Sequence, residues 1–166
     1  MDIVEVKVNR WKEKITGVIY ENKSDFIVLK EVTDDFFLDG VVIVNMKYVR
    51  RITSIDNQVK KYVINEKLKL LAQSDSRWVN EESIDGVLNC LFTNNILFQI
   101  GLESSDYILV GYIENIFEHS IRVSLIDVKG EFFRSLNIRK ELIRTITIDN
   151  EYLGGLLLYM RREEKK

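Results

Sequence analysis

Apolar and polar positions alternate from the start of the chain. Ile3, Val4, Val6 and Val8 are set against Glu5, Lys7 and Asn9, the pattern of a strand with one wet face. A second strand is expected over residues 15–20, turning at residues 21–25, where Asn22 and Ser24 suit the bend. Residues 26–32 form the next strand, and its centre, Phe26-Ile27-Val28-Leu29, is too continuously apolar for a sheet with one face in water. Gly17, within a strand, permits a bulge or a close backbone approach. Asp34, Asp35, Asp39 and Gly40 bracket Phe36-Phe37 in an acidic turn, and short strands follow at residues 41–44 and 48–52. Five short, bent strands in this span predict a small closed or nearly closed barrel, because a flat sheet of that size would leave two edges and little core.

A similar rhythm returns 94 residues later. Gly17 falls on Gly111, Ile19 on Ile113, Ile27 on Ile121, Arg50 on Arg144, Ile52 on Ile146 and Thr53 on Thr147. Val4, Val6 and Val8 meet Phe98, Ile100 and Leu102. A one-residue gap would instead pair Glu21-Asn22 with Glu114-Asn115. Self-similarity at a fixed offset predicts two related folding units, the alternatives being two dissimilar β regions or one larger intertwined sheet.

Between the two, Ile84, Val87, Leu88, Leu91 and Phe92 recur at helical spacing. Asn80 is the expected N-cap, Glu81 and Glu82 lie near the positive helix end, and Asn94-Asn95 supply the stop. This stripe is expected to cover an open barrel end or the seam between units. Residues 58–73 fit either a helix or two short strands, residues 73–77 read as a loop, and Trp78 anchors the chain ahead of the helix. Residues 154–160 are an apolar element of undecided type. The organisation predicted is therefore mainly β (α+β): a first unit at 1–57, a helical connector at 58–95, a second unit at 96–160 and a polar, frayed tail at 161–166.

Composition narrows the function classes. At 46% hydrophobic and 30% charged, the 166 residues suit an ordered globular protein. A net charge of −2 gives no global attraction to nucleic acid or anionic lipid. Residues 1–57 carry nine basic and ten acidic groups, and residues 96–150 carry six and eight, so neither unit is basic. Cys90 is the single cysteine, which rules out an intrachain disulfide. The start lacks a signal peptide's apolar core and no apolar run approaches a membrane span, so a cytoplasmic protein without a membrane role is expected.

The bent strand bearing Gly17, the core strand Phe26-Ile27-Val28-Leu29, the short terminal strands and the helix ahead of the second unit resemble the Sm-like and SH3-like small barrels. The resemblance spans both β units. It implies single-stranded RNA binding and ring formation through barrel edges. The family's RNA-binding members carry a basic residue before a glycine in their second motif; Asp39-Gly40 lacks it, and Lys129-Gly130 falls at another point of the pattern.

Candidate chemistry is sparse. His119, beside Glu118, lies in an expected turn and reads as a surface histidine; Cys90 reads as a small core residue, and no third group recommends a dyad between them. Asp34, Asp35 and Asp39 lack the spacing of a calcium loop, and no phosphate-cradling or cofactor motif occurs. The best candidate binding surface joins Lys47, Arg50 and Arg51 of the first unit to Arg139, Lys140 and Arg144 of the second, with Trp11 and Tyr48 as stacking platforms. The Phe36-Phe37 and Phe132-Phe133 pairs are expected in the core, or as anchors if exposed. The leading expectation is a non-enzymatic structural or adaptor protein that binds a protein partner, or itself, through barrel edges or loops. An Sm-like RNA-binding module is the alternative, and a hydrolase-like enzyme ranks last.

Overall fold

A computed structural model describes residues 1–71 and 81–164. The expected roles of Trp78 and Asn80 and the loop at 73–77 lie outside the described residues. The elements run β1 (Ile3–Val8), β2 (Lys14–Asn22), β3 (Phe26–Val32), β4 (Leu38–Asn45), β5 (Val49–Ser54), α1 (Gln58–Leu70), α2 (Ile84–Thr93), β6 (Phe98–Gly101), β7 (Ile108–Ile116), β8 (Ser120–Ile126), β9 (Phe132–Arg139), β10 (Thr145–Ile148) and α3 (Glu151–Glu164). One-turn 3-10 segments, Met46–Tyr48 and Lys140–Leu142, precede β5 and β10. The chain is mainly β, and its ten strands hydrogen-bond as one open antiparallel sheet in the order β5-β1-β2-β3-β4-β10-β6-β7-β8-β9.

That order is the same five-strand sequence twice, and the pairing repeats at the offset of 94 residues without a gap. Gly17 faces Glu31 and Gly111 faces Leu125; Phe26 faces Asn45 and Ser120 faces Arg139. The register of β2 slips between Ile19 and Glu21, that of β7 between Ile113 and Asn115, so Glu21 corresponds to Asn115 and not to Glu114. Even the β3–β4 and β8–β9 turns agree: Phe36 (φ 63°) occupies the left-handed conformation that Gly130 (φ 73°) takes in the second half. At Gly17 and Gly111 a Cβ would run into the carbonyls of Lys30 and Ser124, themselves counterparts, so both strands need glycine to bend against their neighbours.

The halves are fused where β4 pairs with β10, Val44 opposite Thr145 and Val41 opposite Ile148. Val41, Val42, Ile43 and Val44 are all buried because the two faces of β4 serve two cores. Val42 and Val44 pack with Val4, Val6, Val8, Ile27 and Leu29 inside the first half. Val41 and Ile43, with Phe26 and Val28 of β3, pack against Phe98, Ile100, Ile146 and the apolar stripe Val87, Leu88 and Leu91 of α2. The continuous apolar run in β3 has the same cause. α2 lies over the seam, capped by Ser83, whose side chain accepts from the Gly86 amide; Glu81 and Glu82 precede the helix, and Asp85 is the acid in its first turn.

The segment left between helix and strands is the helix α1, capped by Asn57. It packs Ile64 and Leu68 on Ile3, Val18 and Val32 of the first half. The undecided apolar element is α3, which packs Leu153 and Leu156 on Leu97 and Ile126 of the second half. α3 runs on through Glu164, so the expected polar tail at 161–166 is helical for most of its length; four residues continue a helix because nothing in Arg161, Arg162, Glu163 or Glu164 breaks one.

The outer face of the second half differs from that of the first. The counterparts of Phe26, Val28, Val41 and Ile43 are Ser120, Arg122, Ser135 and Asn137, where Arg122 and Ser135 both bond Glu114. Ile43→Ala is therefore expected to cost about 2–5 kcal/mol by opening a cavity at the seam. Asn137→Ala, at the counterpart position, should stay within about 0.5 kcal/mol. Urea denaturation midpoints of the two variants check this.

Candidate functional site

The eight candidate binding residues fall into three groups. Trp11, Tyr48 and Arg144 belong to the seam. Trp11 is buried, and its indole Nε1 donates to the Leu102 carbonyl at 2.8 Å, so it is a bolt between the halves and not a stacking platform. Arg144 is only 6% exposed and donates through Nη1 to the carbonyls of Asn9 and Glu103. Its guanidinium lies 4.8 Å from the centre of the Tyr48 ring, and the Tyr48 hydroxyl donates to the Glu141 carbonyl. These three residues hold the β4–β10 junction, which removes Arg144 and Trp11 from any solvent-facing surface.

Lys47, Arg139 and Lys140 come together at a cleft of about 740 Å³. It is built from the same loops of both halves: the β2–β3 turn with Asn45 and Lys47 at the end of β4, and the β7–β8 turn with Glu118 and His119 together with Arg139 and Glu141 at the end of β9. Ser83 and Asp85 at the start of α2 complete it. Repeat positions line the cleft from both halves, Asp25 and His119, Ser24 and Glu118, and Asn45 and Arg139, and this offset was the signal that could have found Asp25 and Glu118 in the sequence; Asp85 lies in the helix between the repeats and had no such signal. The cations are largely engaged locally. Lys140 Nζ lies 2.7 Å from Asp85, and Arg139 pairs with Glu141. Lys47 sits over the Tyr48 ring at 5.5 Å.

Arg50 and Arg51 form the third group, exposed on the edge strand β5 and paired with no carboxylate among the described residues. They lie away from the cleft's lining.

His119 is almost wholly exposed with Glu118 beside it, whereas Cys90 is half-buried on α2 with Asn94 within 3.5 Å of its sulfur. Asp39 is not part of the acidic turn: it lies in β4 and accepts from the Glu151 amide at 2.8 Å, capping α3 across the seam. Among the described residues no group of three or more metal-ligating side chains occurs. Phe132 and Phe133 are exposed, as is Phe37, while Phe36 packs under α1. The expected core burial thus fails for three of the four, since edge-strand and turn positions have no layer above them. No helix of the described residues is long and apolar enough to cross a membrane.

A second cavity, about 370 Å³, opens beside the seam and is lined by Glu31, Asp39, Gln99 and Asn150 among others. Burial, and then the Asp39 carboxylate, push the Glu31 carboxyl above its ordinary value.

No protein-family model matches the chain, and comparisons with curated proteins and with solved structures return no match.

Two expectations follow. Arg144→Met should cost about 1.5–3 kcal/mol for each charged hydrogen bond lost, whereas Arg50→Ala should stay within about 0.5 kcal/mol; thermal unfolding separates them. A raised carboxyl pKa means that the folded state holds its proton more tightly than the unfolded state, so ionising Glu31 opposes folding. Glu31→Gln should therefore stabilise the protein at neutral pH, and the gain should vanish as pH falls below the ordinary value of 4.5, read from unfolding midpoints across a pH series.

Proposed function

We propose that the chain is a non-enzymatic interaction protein, two small barrel-like units of Sm-like or SH3-like character sharing a seam, which binds a protein partner at the ends of its sheet. One observation carries this reading: among the described residues β5 and β9 each pair on one side only, and exposed apolar side chains flank both, Ile52 on one and Phe132 and Phe133 on the other. Unpaired strand edges accept an added strand through main-chain hydrogen bonds, with adjoining side chains setting preference. The repeated strand order and register support the pairing of two like units. The single cysteine fits a reducing compartment, in keeping with a cytoplasmic protein.

Single-stranded RNA at the 740 Å³ cleft is the second reading, favoured by the convergence of Lys47, Arg139 and Lys140 from both halves beside Tyr48. It ranks behind because Arg139 and Lys140 already hold carboxylates and the cleft carries Asp25, Asp85, Glu118 and Glu141.

Immobilised wild-type protein, an Ile52→Glu/Phe132→Glu edge variant and a Lys47→Glu cleft variant separate the two. The edge reading expects one partner, rebound from purified components, that the edge variant loses and the cleft variant keeps. Loss with the cleft variant alone, together with oligouridine binding whose logarithm falls with log salt by about 0.7 per phosphate contacted, would overturn it.

A further inference from the structure

The free edges are the two strands whose counterparts are already paired within the chain. β9 corresponds to β4, and β5 corresponds to β10. We propose that the chain joins a second copy of itself head to tail, β9 of one copy adding to β5 of the next in the register that β4 and β10 use internally. This rests on the edge-binding reading and names its partner.

The register is fixed by the repeat. Moving the β4–β10 pairs by 94 residues places Arg51 opposite Ile138, Ile52 opposite Asn137, Thr53 opposite Leu136 and Ser54 opposite Ser135. The backbone polarity agrees. Ile55 donates its amide to Ile3, so by alternation Thr53 also faces β1, leaving Ile52 and Ser54 facing outward. Lys140 donates its amide to His119, so Ile138 and Leu136 face β8, leaving Arg139, Asn137 and Ser135 facing outward. Ile52 and Ser54 thus meet Asn137 and Ser135 with outward groups on both sides, and the pair between them faces inward on both sides.

Side chains at the edges agree as well. Ile146 of β10 is fully buried, while Ile52, its counterpart, is 38% exposed for want of a neighbouring strand. Leu142, the counterpart of Tyr48, is likewise exposed. The joint differs from the internal seam in two ways. The polar outer face of Ser120, Arg122, Ser135 and Asn137 calls for no covering helix, so the contact is strand pairing without the cover that α2 provides. In addition, the Asn45 amide that donates to the Arg144 carbonyl becomes the Arg139 amide donating to Arg50. Two arginines then sit side by side, and their repulsion is screened by salt. The association is therefore weaker than the seam and strengthens with ionic strength, the reverse of phosphate binding.

A head-to-tail contact uses a different patch on each copy, which gives a decisive test. Light scattering over a concentration series, at low and high salt, should show mass rising above the 19.5 kDa chain, more so at high salt. Ser54→Pro blocks one edge and Asn137→Pro the other, and each variant alone should lose all species above the monomer. Their mixture keeps one intact β9 and one intact β5, so it should form a dimer and nothing larger. A cross-link tests the register without proline: in a Cys90→Ser background, Thr53→Cys chains mixed with Leu136→Cys chains should oxidise to a mixed dimer. Those residues form a non-hydrogen-bonded pair with Cα atoms about 4.5 Å apart, within disulfide reach. A wild-type chain that stays monomeric at every concentration and salt, or cross-linking of like with like as fast as the mixture, overturns the proposal. If the chain stays monomeric while the edge variant loses a different partner, edge binding stands and self-pairing alone falls.

Discussion

The pairing of β4 with β10 is the constraint from which the rest of the molecule follows. A strand in mid-sheet can bury both faces only if a layer covers each, and Val41 to Val44 meet that condition because each half supplies one layer. Fully burying such a side chain contributes about 1.5–3 kcal/mol, so four consecutive positions outweigh any surface interaction in the chain. The same junction sets the approach of the loops. At Gly40 a Cβ would collide with the Ile148 carbonyl, so only glycine lets β4 lie this close to the end of β10. Asp39 reaches α3, Trp11 reaches Leu102, and Arg144 reaches Asn9 because the strands that carry them are already held in register.

Equivalent backbones with unlike side chains explain how one pattern yields two surfaces. Phe26, Val28, Val41 and Ile43 form an inner wall, and their counterparts form a polar ladder around Glu114, whose carboxyl Ser135 and Arg122 hold below its ordinary value. Main-chain pairing does not distinguish the two sets, since hydrogen bonds in a sheet ignore side-chain polarity. What distinguishes them is the layer above: α2 covers the first and solvent covers the second.

Much of this was legible in the sequence. Alternation gave the strands, the apolar run of β3 announced burial on both faces, and the offset of 94 matched the register to the residue. Other features were hidden for physical reasons. α1 presents Val59 and Tyr62 to solvent and buries Ile64, so its apolar residues do not form the single stripe that marks a helix. The fusion into one sheet turns on edge complementarity, which periodicity within a strand does not encode. Arg144 looked like a surface cation because strand position says nothing about an arginine whose acceptors lie 41 and 135 residues away in sequence. Trp11 misled in the same way, its partner being Leu102 of the other half.

Electrostatics then separates the cleft from the edge. A cation already holding a carboxylate must give up that contact to bind a phosphate, so Lys140 beside Asp85 and Arg139 beside Glu141 offer little net attraction. Arg144 is enclosed at the seam. Arg50 and Arg51, which hold no carboxylate among the described residues, stand on β5, an edge strand whose outward amides have no neighbouring strand among those residues. Charge on an edge discourages indiscriminate pairing while leaving the main chain able to accept a strand of the right register. The molecule thus keeps its cleft charges for internal contacts and leaves unpaired main-chain groups, among the described residues, at the two ends of the sheet, where the proposed further strand would take the register that β4 and β10 use at the seam.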